Sequence, residues 1–494
     1  MRFTLFKYGF GVVLSMALWV GLAPQIACCQ EVLGTLMIDR SEPTPLWYEY
    51  CPADKGVVML SNLSKNSNRT VGLFKYDGKL QKQWQLELYT QNGNINVEHL
   101  AVLNDNIYVF IAERIAGQKK IVTTYFIIGL DGKVLVNGKM LYNGDDHGGE
   151  IRNFRFERSL NKKRLLAYHS MVNGKNEDQM AWFQFHADST LPRQGMITLP
   201  YPDEDLQVKQ VRVTNQGTIY MLSKLVTSGR SRLTEQAQWL LFKDRAADRK
   251  LLEYPLNLQG RVVSDLTCKP DRYENLIVSG FYSTQPNGQL SGVLFARLGA
   301  NDTLYNFTAS PFKESFLTRY LTPRQVERGR GLSDFYMDDI VLRADGGALI
   351  LAEQYYMTST SYPDMYGFWQ TMDTYHYDDI LVISIEPDGE LEWISVVEKT
   401  QSSDFAGELS YAFVVAPEDI YIFYKTTLDL ARTNVYFNTI DFKGEVSKPQ
   451  PFFRDFSNLD IFFREYCEQV TNTEAFLVYY QHRRRAFTLL KVGF

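Results

Sequence analysis

The chain has 494 residues, 45% apolar and 22% charged, which supports a full-sized core and argues against wholesale disorder. Aromatic residues reach 14%, with 30 Tyr and 31 Phe, and flat, stiff rings suit pleated, half-buried sheet surfaces. A net charge of −5 and a pI near 5.8 do not suit a surface that recruits polyanions, so no nucleic-acid partner is expected. In chain order, residues 1–29 read as a targeting signal. Arg2 and Lys7 supply the positive start and "YGFGVVLSMALWVGLA" the apolar core, too short and wrongly flanked for a stable anchor. The end of the signal, "APQIACCQ", reads in two ways. Cleavage before Cys28 would give a lipid-modified cysteine and peripheral membrane association; cleavage before Gln30 would give a soluble chain. Either way the protein is expected to be exported, to the periplasm, outer membrane or cell surface of a diderm bacterium.

A spare strand, "VLGTLMIDR" (32–40), follows the signal. From there one unit recurs: a strand, a tight polar turn, a very apolar strand, then a second hairpin. The first apolar residues after the polar turns are Val57, Ile107, Leu165, Ile219, Leu276, Leu349, Ile420 and Phe476. They stand 50, 58, 54, 57, 73, 71 and 56 residues apart. That period, with four strands per repeat, is the signature of a β-propeller. The expectation is an all-β, eight-bladed β-propeller of four antiparallel strands per blade, formed as one domain by residues 31–494. A seven-bladed ring is the alternative. The last repeat stops after three strands, so the spare N-terminal strand is expected to close the ring and remove an unpaired edge.

The two long spacings require insertions, at about 310–332 and 353–379. The first carries a Phe312, Phe316, Tyr320 and Leu321 stripe that suggests a short amphipathic helix. The second, "EQYYMTSTSYPDMYGFWQTMDTYHYDD", is crowded with aromatics, and Pro363 and Gly367 lead us to expect an irregular loop. Tyr355, Tyr356, Tyr362, Tyr366, Phe368 and Trp369 are the candidate partner- or ligand-binding residues, with Tyr366 and Trp369 the best anchors. Tyr375 and His376 are read as structural.

Gly389 and Trp393, four apart in "DGELEW", resemble the Gly-x-x-x-Trp turn of quinoprotein-like eight-bladed propellers, a fold shared by outer-membrane assembly lipoproteins of the BamB type. Gly132 with Val136 and Gly444 with Lys448 lack the tryptophan, so a quinone is not implied. The run "YHYDDILVISIEPDGELEWISVVEKTQ" is also similar to a segment of uncharacterised exported propeller-like proteins of Bacteroidota, which implies a place in the cell envelope.

Motifs for chemistry are absent. None of the six histidines (His99, His147, His169, His186, His376, His482) forms an HExxH or other ligand pair. No GxSxG or SxxK organises a serine, and sialidase-type Asp boxes are missing. The loop "NGDDHGGE" (143–150) lacks the spacing of a calcium loop and reads as a solvated turn, as do "NKKR" (161–164) and "HRRR" (482–485). Neither metal nor cofactor is expected, and the chain leans away from catalysis. The leading expectation is a non-catalytic exported binding or scaffold propeller that docks a partner protein at the cell envelope, associated with the outer membrane. The alternative is a carbohydrate-binding or carbohydrate-active propeller. Cys51 and Cys467, both on strands before a polar turn in neighbouring repeats, could meet as a disulfide if their Cα atoms lie within about 7 Å.

Overall fold

The computed structural model describes residues 31–38, 45–63, 70–89, 95–115, 117–145, 154–171, 177–202, 204–226, 237–245, 248, 250–285, 288–429, 432–452, 461–462, 464, 467–481 and 486–494. These residues form eight antiparallel sheets. Seven follow one another as blades 1 to 7, over residues 45–89, 95–145, 155–202, 206–255, 262–311, 335–397 and 411–451. Blade 8 combines strands between 461 and 493 with the N-terminal strand Glu31–Ile38. The eight repeat markers, Val57 through Phe476, all lie on the second strand of their blades and are buried. Second and third strands are covered on both faces by neighbouring blades, so they read as near-continuous apolar runs. Outer strands such as Lys82–Tyr89 alternate exposure, because only one face meets a neighbour.

Eight apolar clusters fill the gaps between consecutive blades. Val58, Leu60 and Leu73 meet Val97, Leu100 and Val109 between blades 1 and 2. The circle closes where Tyr50, Met59 and Phe74 of blade 1 meet Phe476, Val478 and Ile38 of blade 8. The closing strand pairs with the C-terminal strand from Glu31↔Gly493 to Ile38↔Phe487. The expected eight-bladed fold and joined chain ends are therefore both present. Pairing consumes the edge that the last blade would otherwise expose.

The turns joining first to second and third to fourth strands share one side of the ring. Turn-to-turn bonds run around it: Asn161 N–H to Asn215 Oδ1 at 2.9 Å, Arg272 to the Ala344 carbonyl at 3.3 Å, and Lys55 to Glu474 at 3.4 Å. Hairpins joining second to third strands, and the links between blades, occupy the opposite side. We call these the turn face and the arm face.

Three expectations change. The first insertion holds two short helices, Glu314–Leu317 and Pro323–Glu327, because Pro323 starts a new helix after Thr322. Phe316 and Tyr320 do pack on the core shared by blades 5 and 6. Among the described residues, Cys51, Cys268 and Cys467 form no disulfide. Cys51 packs between blades 1 and 2 and Cys467 against the cluster between blades 7 and 8, so the two turn away from the gap their blades share. The basic turn 161–164 is also more than solvated: Lys162 pairs with Glu468 at 2.7 Å, and Arg164 Nε donates to the Asn215 carbonyl at 2.8 Å. In the 143–150 loop, Asp145 pairs with Lys120 at 2.6 Å; residues 146–150, the 482–485 run and Cys28 lie outside the described residues. No helix among the described residues is long and apolar enough to cross a membrane.

Candidate functional site

The 353–379 segment is not an irregular loop. It is the distal part of one long hairpin in blade 6, formed by Ala348–Pro363 and Trp369–Ile385 and paired without a break from Tyr355↔Tyr377 to Pro363↔Trp369. Pro363 and Gly367 shape its turn. Asp364 N–H donates to the Phe368 carbonyl at 2.8 Å, Gly367 N–H to the Asp364 carbonyl at 2.9 Å, and Gly367 takes φ +81°. This three-residue loop needs a left-handed residue at its third position. Asp364 Oδ1 accepts the Tyr366 and Phe368 N–H groups, each at 2.9 Å. Those backbone bonds, that of Phe368 foremost, hold its carboxyl below the usual range.

Beyond its root the hairpin leaves the blade as a two-stranded arm. Seven residues, Met357–Pro363, at about 3.3 Å each give a reach of about 23 Å. A free ribbon of two strands is marginal in water, and this one is reinforced across its width. Ser359 Oγ donates to Asp373 Oδ1 at 2.6 Å, Thr358 meets His376 Nε2 at 2.9 Å, and Ser361 meets Thr371 at 3.3 Å.

The structure divides the six predicted residues into two groups. Tyr355 and Tyr356 are half-buried at the root: Tyr355 lies 4.8 Å from the Tyr377 ring, and Tyr356 stacks on His376 at 4.5 Å with an interplanar angle of 6°. Tyr362, Tyr366, Phe368 and Trp369 sit on the outer part, exposed by 46, 78, 70 and 72%. Met365, exposed by 88%, joins them at the tip. Sequence reasoning passed over it by counting only rings, although a thioether serves the same apolar role.

The root is locked from below. Lys399, fully buried, places Nζ 2.7 Å from Glu353 Oε1, 2.8 Å from the Tyr377 carbonyl and 2.8 Å from Gln401 Oε1. Burial lowers the Lys399 pKa and raises that of Glu353, each opposed by the attraction of the other. Ser410 also donates to Glu353, and Gln401–Ser403 pairs as an extra strand against residues 375–377. Tyr320, from the helical insertion, donates to Asp379 Oδ2 at 2.8 Å.

A second feature lies on the axis. Arg158 of blade 3 pairs with Glu49 of blade 1 and, at 3.4 Å, with Glu468 of blade 8. Arg212 pairs with Glu157 at 3.0 Å, Lys269 with Asp339 at 3.0 Å, and Arg464 with Asp338 at 3.1 Å. Burial pushes Glu49 up to about 7 despite Arg158, and raises Glu157 despite Arg212. Glu157, Arg158, Arg212, Lys269, Asp338 and Asp339, with Thr267 and Gln210, line an open cavity of about 360 Å³ bounded by blades 3 to 6. His99 lies beside it, stacked on Phe156 at 4.5 Å and pushed down to about 3 by burial. Among the described residues no group of three or more His, Cys, Asp or Glu side chains could hold a metal ion.

No protein-family model matches the sequence, and no curated protein matches it significantly. Solved structures resemble it in fold. The β-propeller domain of the Trilobed protease from Pyrococcus furiosus is 10% identical, with 82% of this chain and 95% of that one covered and a TM-score of 0.39. An ulvan lyase, a polysaccharide lyase, is 12% identical over 80% and 91%, at a TM-score of 0.38. The β-propeller domain of Cps50 from Myceliophteria thermophila is 10% identical over 80% and 99%, at 0.34. The eight antiparallel sheets, closed by the N-terminal strand, make the chain a β-propeller.

Proposed function

We propose that the protein is an exported, non-catalytic binding propeller that docks a partner protein at the cell envelope through the arm of blade 6. The observation that carries this reading is the arm's tip. Met365, Tyr366, Phe368 and Trp369 are held outside the body on an internally bonded ribbon whose root is locked to the blade. Burying such side chains contributes about 1.5–3 kcal/mol each, and rigid aromatic anchors dominate binding hot spots. An apolar pocket on a partner is the complement of that tip. Export rests on the Arg2–Lys7 start and apolar core of residues 1–29, and attachment to a membrane rests on Cys28. The test is a paired substitution, Tyr366→Ala with Trp369→Ala, in the full chain. Partner capture from native envelopes should fall sharply while the melting temperature barely moves. A large stability loss with capture intact would show that the tip is structural.

The axial cavity favours a second reading, a carbohydrate-binding or carbohydrate-active propeller. Glu157, Asp338 and Asp339 line it, and burial raises Glu157. Each is paired with a cation within 3.1 Å, an arrangement suited to hydrogen-bonding a polar ligand more than to proton transfer. Polysaccharide breakdown that is lost in Glu157→Gln would establish the catalytic version.

A further inference from the structure

The helical insertion places a cationic patch at the foot of the arm. Residues 313–330 carry Lys313, Arg319, Arg324, Arg328 and Arg330 against Glu314 and Glu327, five bases to two acids, or +3, in a chain whose total is −5. Arg319 is spent on Glu398. Arg324, Arg328 and Arg330 are exposed and form no ion pair with another described residue. The patch is fixed in place: Tyr320 holds Asp379 at the arm's root, and the Leu290↔Leu332 bridge and the Gln285-to-Gly329 bond at 3.4 Å seat its far end on blade 5. As a link between blades it lies on the arm face. The arm itself offers no counter-charge, since residues 354–375 contain no Lys, Arg or Glu. Its two carboxylates, Asp364 and Asp373, are occupied by its own groups.

We infer that the docked partner presents two features in one surface: an apolar pocket for the arm's tip and, set back from it, an acidic ridge for Arg324, Arg328 and Arg330. This rests on the docking reading above and adds to it the charge and shape of the partner. The geometry favours a protein over an anionic bilayer. The tip stands about 23 Å beyond the root, and charge interactions fade over about 8 Å at physiological salt. A flat lipid surface that received the tip would leave the arginines out of range, whereas a folded protein can fill a step of that height. Exposed arginines steer encounter and fix orientation more than they set the final affinity.

The test uses the full-length chain in its native envelope with a photo-crosslinking phenylalanine at position 366 or 328. Both positions should yield an adduct with the same protein, and the peptide captured from 328 should contain Asp or Glu. With that partner purified, Arg324→Glu, Arg328→Glu and Arg330→Glu together should cut affinity about tenfold at low salt and flatten its salt dependence. The corresponding Gln variants should fall between, with unchanged melting. An adduct from 366 but none from 328, or charge reversal without effect, overturns this inference and leaves the docking reading standing. No protein adduct from 366 overturns both. Crosslinking of 328 to a polysaccharide, or Trp369-independent sedimentation with phosphatidylglycerol vesicles, shows that the patch serves another ligand and overturns the inference.

Discussion

Replacing Lys399 with Met removes the ammonium under the arm while keeping a stem of similar length. Its Nζ meets Glu353 at 2.7 Å, the Tyr377 carbonyl at 2.8 Å and Gln401 at 2.8 Å, and all three acceptors would lose that donor. Gln401 Oε1 keeps the Ser410 N–H at 2.8 Å. Glu353 keeps Ser410 and, at 3.9 Å, Arg464. Breaking one side of a buried ion pair costs about 3–5 kcal/mol, because the remaining charge stays buried. Lys399→Met with Glu353→Gln removes both charges, leaves an amide able to meet Ser410, and should cost only about 1–2 kcal/mol. The coupling between the sites should therefore be about 2 kcal/mol or more, which a double-mutant cycle measures. Urea unfolding gives the global value, and hydrogen exchange at residues 375–377 and 401–403 reports the arm's root. Since burial already raises the Glu353 pKa, mild acid should neutralise it and shrink the single-variant penalty. A single variant losing less than about 1 kcal/mol, or a double variant as unstable as the single one, would show that the pair does not hold the arm.

Other outcomes follow from the same reasoning. His99 is lowered to about 3 by burial, so the unfolded chain binds its proton first and stability must fall as pH drops below the ordinary value near 6.5. His99→Phe should flatten that loss by about 1.4 kcal/mol per pH unit between roughly pH 6 and 4, read as the difference from the parent chain. Glu49, raised to about 7, acts oppositely: its contribution is present below about pH 4.5 and is lost as pH rises towards 7, so Glu49→Gln should remove that trend. Ile38→Ala at the ring closure, where the side chain is 5% exposed, should cost about 2–4 kcal/mol and release amide protection in residues 487–493 first. Unfolding without reductant should leave Cys51, Cys268 and Cys467 open to alkylation, because none of the three forms a disulfide among the described residues.

Blade count and ring closure were legible because a propeller repeats one local pattern. Each polar turn followed by an apolar strand announces a second strand, and Val57 through Phe476 mark all eight. The spare strand at 32–40 was readable by elimination, since the last repeat lacked a partner. The arm departs from the irregular loop that Pro363 and Gly367 suggest, because both residues sit in its turn and leave its strands paired. The Asp364-to-Gly367 spacing was the overlooked signal: an Asp that caps its own turn, followed by a residue able to take φ +81°. The axial pairs were out of reach. Arg158 and Glu468 stand 310 residues apart, and only ring geometry brings blades 3 and 8 face to face. The Lys399–Glu353 lock was hidden for a similar reason, as its charges look like ordinary surface residues until the fold buries both side chains.

The position of the closing strand determines which way the molecule would point on a surface. Glu31 pairs with Gly493, so the chain enters the ring from the turn face, and the arm leaves from the other. A lipid on Cys28 would have only Cys29 and Gln30 between it and the first strand, at the turn face. Eight residues of closing strand span about 26 Å and the arm adds about 23 Å, which raises the tip about 50 Å above the lipid. Only a partner that is soluble, tall or fixed to a facing surface could meet it there.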